Sequence, residues 1–121
     1  MKKFIAVLVI LLAATAVFAD PIQLGTFPVG KWLDSNYDAV WDFASDNIRI
    51  LGTDGKVLYD FSAKGISNFK ISVDGIQPVI TFTCAAAGRS YRLKASLPST
   101  NVILEIERKD LPKYTVTMQK Q

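Results

Sequence analysis

The chain has 121 residues, 14 basic and 11 acidic, with no histidine and one cysteine. The missing imidazole removes histidine-based general acid–base work, histidine-activated nucleophiles and most zinc sites. A single cysteine removes any intramolecular disulfide.

Residues 1–19 read as a secretory signal peptide: Lys2 and Lys3, an uncharged apolar run from Phe4 to Phe18, then Val17-Phe18-Ala19 as the cleavage signature. The run is shorter than the roughly 20 residues that cross a bilayer. No integral membrane segment is therefore expected after signal removal, and the destination is secreted or periplasmic. Removal takes both lysines, leaving 12 basic against 11 acidic residues, a net charge of +1. No cationic cluster remains to track phosphates, so no nucleic-acid partner is expected. The remaining 102 residues suffice for one domain, expected as a monomer.

Residues 20–28, "DPIQLGTFP", read as an extended N-terminal arm held open by Pro21 and Pro28. A domain over 29–121 follows. Its first expected strand lies in "GKWLD" near residue 30. Next comes "DSNYDAVWDFAS", where Tyr37, Val40, Trp41 and Ala44 fit a helix face capped by Asp34 or Ser35, but Trp41 and Phe43 alternate with Val40 and Asp42, so a strand is preferred, with room for a short helical turn at 34–38. Asp34, Asn36 and Asp38 imitate the start of a calcium loop, but Ala39 stands where the glycine belongs and Ser45 where the glutamate belongs, so no metal or other cofactor is expected. "NIRIL" supplies a third strand.

From residue 57 the alternation is regular. "KVLYDF" sets Val57, Tyr59 and Phe61 on one face, and "NFKISVDG" does the same with Phe69, Ile71 and Val73. "VITFTCA" turns Ile80, Phe82 and Cys84 inward, so Cys84 reads as a buried thiol. "RSYRLKASL" turns Tyr91, Leu93, Ala95 and Leu97 away from Arg92 and Lys94. "VILEIER" offers Leu104 and Ile106, and "KYTVTMQ" offers Tyr114, Val116 and Met118. Asp54-Gly55 and Asp74-Gly75 are hairpin signals, and Gly88 marks a further turn. Eight or nine short antiparallel strands result, and with them an all-β fold.

"GKW" resembles the Gly-x-Trp that opens the first strand of the calycin group, which comprises lipocalins, avidins and small bacterial metalloprotease inhibitors. The resemblance implies a single up-and-down antiparallel β-barrel of about eight strands. It implies that Trp32 packs across the closed end, that Gly30 lets the backbone pass close to it, and that an arginine stacks on it. Arg108 is the nearest candidate and Arg92 the alternative. A mid-chain Thr-Asp-Tyr motif and the paired cysteines of the inhibitors are missing.

The two glutamates, Glu105 and Glu107, share one solvated face of "LEIER" rather than flanking a cleft, so an enzyme is not expected. Trp41, Phe43, Tyr59, Phe61, Phe69, Phe82, Tyr91 and Tyr114 are the candidate ligand-binding residues, all on inward parities. Eight large side chains on short strands favour a filled interior over a roomy one. Following the resemblance, a small hydrophobic ligand inside the barrel ranks first. A protein partner gripped by the arm and loops, in the manner of a protease inhibitor, is the alternative.

Overall fold

The computed structural model describes residues 19–98 and 100–121; the signal-peptide reading lies outside the described residues, apart from Ala19. Nine strands form one sheet: β1 Gly30–Asp34, β2 Ala39–Ala44, β3 Asn47–Gly52, β4 Val57–Asp60, β5 Ser67–Asp74, β6 Gln77–Cys84, β7 Arg89–Ala95, β8 Asn101–Arg108 and β9 Tyr114–Lys120. One short helix, α1 Phe61–Lys64, joins β4 to β5. The order across the sheet is β4-β3-β2-β1-β9-β8-β7-β6-β5, antiparallel at every step.

The sheet curls into a half-barrel whose first and last strands meet, at Trp32 opposite Lys120 and Leu33 opposite Gln119. The break in the ladder lies mid-chain, between β4 and β5. Nine strands paired antiparallel throughout force those two edge strands to point the same way. A hairpin cannot join strands in that relation, since parallel neighbours need a crossover. The crossover is α1.

Local chemistry explains why the expected strand through Phe61 stops short. Asp60 is the helix N-cap, its carboxylate accepting from the backbone N–H of Ser62 at 3.0 Å and of Ala63 at 3.3 Å. Gly65, at φ 81°, ends the turn. The hydrogen bonds from Ser62, above all, and from Asn47 hold the Asp60 carboxyl below its usual pKa. Phe61 therefore enters the core from a helix, not from a strand.

Parity holds best where a strand has neighbours on both sides. Ile80, Phe82 and Cys84 of β6, Tyr91, Leu93 and Ala95 of β7, and Val102, Leu104 and Ile106 of β8 are all buried. At the two edges it weakens. Val57 and Ile71 are exposed, and Val73 is 66 % exposed; β4 and β5, which carry them, are the two edge strands. Leu97, beyond the end of β7, is exposed as well. Residues 35–38 form a turn without helix, and Ala39–Ala44 is a strand.

The arm is part of the core. Ile22, Leu24 and Phe27 are buried, Phe27 lying 5.2 Å from the Phe43 ring. Its backbone is tied at two points: Asp20 N–H donates to the Ile66 carbonyl, just before β5, at 2.8 Å, and Leu24 N–H to that of Ser45, in the β2–β3 turn, at 3.0 Å. The Asp20 carboxylate also accepts from Phe69 N–H, occupying one donor of the open β5 edge. Among the described residues no helix is long and apolar enough to cross a membrane.

Candidate functional site

Trp32 is fully buried on β1, edge-on to Phe43 at 5.5 Å. Gly30 passes close to it: a Cβ at this position would lie 3.3 Å from the indole Cη2 and Cζ3, and φ is +139°. Both facts oppose a side chain. Gly30→Ala is expected to cost about 1–3 kcal/mol through backbone strain and ring displacement, seen as a lower urea midpoint with unchanged slope. The cation over Trp32 is Lys120, 5.8 Å from the ring. Arg108 instead lies 6.0 Å from the Tyr114 ring, and Arg92 faces outward to Asp74 and Glu105, so neither arginine takes the stacking place that the resemblance implies.

The central aromatic residues pack on one another. Phe61 lies 5.0–5.6 Å from Tyr59, Trp41, Phe82 and Tyr91, and Phe82 stacks on Tyr91 at 5.0 Å. Phe43 belongs to the Trp32–Phe27 end, and Phe69 flanks Phe82 at 6.4 Å. Cys84 is buried and free, its sulfur 3.4 Å from the Tyr59 hydroxyl and 3.8 Å from the Gly65 carbonyl. Burial, followed by the Cys84 contact, pushes the Tyr59 hydroxyl up to about 12. Offset and edge-on pairs at these spacings fill the middle of the half-barrel.

Space opens at one mouth. A cleft of about 250 Å³ lies where the β1–β2 turn, the start of β7 and the β8–β9 connection converge. Trp41, Ile50, Leu104 and Ile106 form its apolar floor, and Asp34, Tyr37, Arg89, Arg108 and Tyr114 its polar walls. Of the eight expected ligand-binding aromatics, Trp41 and Tyr114 alone line it.

Strand parity puts charge here. Arg89 shares its face of β7 with buried Tyr91 and Leu93, and Arg108 shares its face of β8 with Leu104 and Ile106. The two arginines are directly opposite in the β7–β8 register. Asp34, 3 % exposed, is held by the Tyr114 hydroxyl, which donates to its two oxygens at 2.8 and 3.0 Å, and by Asn36 N–H at 2.9 Å. Burial pushes Tyr114 up to about 12, so this hydroxyl stays a donor. Arg108 is positioned by two hydrogen bonds to the Pro112 carbonyl, at 3.3 and 2.7 Å. Among the described residues neither Arg89 nor Arg108 has a carboxylate within 4.0 Å.

A second groove, of about 280 Å³, runs over the outer face of β5–β8. Two of its charges are answered within the chain: Arg92 by Asp74 and Glu105, and Glu105 also by Lys113. The mouth cleft is the stronger candidate because its cations are unanswered and its floor is apolar. Sequence reading missed Arg89 although it lies two residues before Tyr91 on the same parity. It took Arg108 for a lid on Trp32 when its position at the end of β8 aims it at the mouth. Among the described residues no group of three or more histidine, cysteine, aspartate or glutamate side chains is placed to hold a metal. No family model, curated protein or solved structure matches this chain.

Proposed function

We propose that this protein is an exported, monomeric, non-enzymatic binding protein of calycin-like architecture that holds one small, partly apolar ligand in the mouth cleft. The observation that carries the reading is the cleft itself: Trp41, Ile50, Leu104 and Ile106 beneath a ring of polar side chains. Binding sites of this kind combine an apolar lining with a few convergent polar groups. The centre supports the location at the mouth, since Phe61 and its four aromatic neighbours leave it filled. Half-barrel curvature, the adjacent terminal strands and the Gly30–Trp32 contact support the calycin-like architecture. An inhibitor that plugged a partner's groove with residues 20–28 would first have to withdraw Ile22, Leu24 and Phe27 from its own core.

Native mass spectrometry of protein exported by cells tests the proposal. One small molecule per chain is expected in the wild type and none in Ala39→Phe, which fills the cleft from its half-buried rim. A bare chain mass for the wild type, or the same adduct in both proteins, overturns it.

A further inference from the structure

The two arginines at the mouth are arranged in a way that folding alone does not favour. Like charges directly opposite on neighbouring strands repel, and Arg89 and Arg108 are such a pair. Both lie on the inward face of their strands, where the side chains nearest in sequence, Tyr91 and Ile106, are buried. No carboxylate among the described residues lies within 4.0 Å of either. The other inward charge at this mouth, Asp34, is already occupied by Tyr114 and Asn36, so it does not relieve the pair. Four other cations do meet a carboxylate: Arg49 with Asp42 at 2.7 Å, Arg92 and Lys94 with Asp74, and Lys113 with Glu105.

We infer that Arg89 and Arg108 form an anion-binding rim, and that the ligand of the cleft is a small organic anion, a carboxylate on a ring-sized apolar body. The inference rests on the cleft being the binding site and names the ligand class. An anion between two guanidinium groups removes their repulsion and gains charge-assisted hydrogen bonds, which arginine forms bidentately with a carboxylate. Arg108 is held in place beforehand by the Pro112 carbonyl, which lowers the ordering cost on binding. Size sets the body. An apolar cavity of about 150 Å³ takes benzene, so about 250 Å³ takes one ring with a short acidic arm. The ring meets Trp41, Ile50 and Ile106, and Trp41 in turn stacks on Phe61, which stops the cleft from deepening. Asp34, its carboxylate held by the Tyr114 hydroxyl, also lines the cleft and repels an anion, which leaves the arginines as the partners of the ligand's carboxylate.

Three probes of one shape separate the terms: phenylacetate, neutral phenylacetamide and cationic phenethylamine, titrated into the full mature chain. The Trp41 indole N–H resonance reports occupancy, with Trp32, which does not line the cleft, as the internal control. Phenylacetate is expected to bind at least about tenfold more tightly than phenylacetamide, the size of one charge-assisted contact. Arg89→Gln, at an exposed position, is expected to erase that preference, with the Trp32 resonance staying at its wild-type place as the check that the fold is kept. Equal affinity for phenylacetate and phenylacetamide, or a preference for phenethylamine, overturns the anion assignment and leaves the cleft reading standing. No Trp41 shift with any of the three overturns both.

Discussion

A chain beginning at Val29 is expected not to fold. Residues 20–28 contribute Ile22, Leu24 and Phe27 to the core, each nearly or fully out of water. Burying a large apolar side chain is worth about 1.5–3 kcal/mol, so three of them account for roughly 5–9 kcal/mol. A domain of this size has about 5–15 kcal/mol in total. Deletion also uncovers what the arm covers: the Phe43 ring, and the backbone groups of Ile66 and Ser45 that now accept from Asp20 and Leu24. Circular dichroism of the truncated chain should lack the strand signal of a chain beginning at Asp20, and the indole resonances should collapse toward unfolded positions. A truncated chain that folds with native-like stability would return the arm to the role of a detachable plug. The graded variant Leu24→Ala, expected to cost about 2–5 kcal/mol, gives the same answer in a protein that still folds.

The sequence marks residues 20–28 as an extended arm through Pro21 and Pro28 but carries no periodic signal that would place its side chains in the core. The arm's apolar residues are spaced irregularly, at 22, 24 and 27, and match neither a helix nor a strand. Alternation is a signal of strands that neighbours press from one side. It located Ile80, Phe82 and Cys84, and Leu104 and Ile106, whose strands have partners on both edges. For Val57 and Val73 the same alternation exists, yet nothing lies opposite to bury them, since β4 and β5 bound the open gap. That gap follows from strand count and direction, which are global properties that no local window contains. The alternation of Val57, Tyr59 and Phe61 carried the strand reading past Asp60, whose carboxylate instead caps a helical turn that Gly65 ends. The site was hidden for a related reason. A charged residue at a strand end reads as solvated, and only the β7–β8 register shows Arg89 and Arg108 facing each other across one mouth.

Phe61→Ala is expected to be the most damaging single truncation in the central aromatic cluster. The ring is fully buried and touches Tyr59, Trp41, Phe82 and Tyr91 at centroid distances of 5.0–5.6 Å. Replacing a buried phenylalanine by alanine costs about 3–5 kcal/mol, part transfer and part cavity. For a domain near 100 residues that lowers Tm by roughly 12–40 °C. The helix adds a second effect, because α1 is one turn long and is held down chiefly by this side chain and the Asp60 cap. Its loss should loosen the crossover between β4 and β5 while the β6–β9 ladder persists, so hydrogen exchange should quicken first at residues 61–66. Phe61→Leu, which keeps an apolar body there, should recover much of the loss. A cavity opened by the alanine would be lined by aromatic carbon and would stay dry. Benzene should therefore raise the Tm of Phe61→Ala and leave the wild type unmoved. Should benzene stabilise the wild type equally at the same place, the centre would already be hollow, and the ligand would have to be sought there rather than at the mouth.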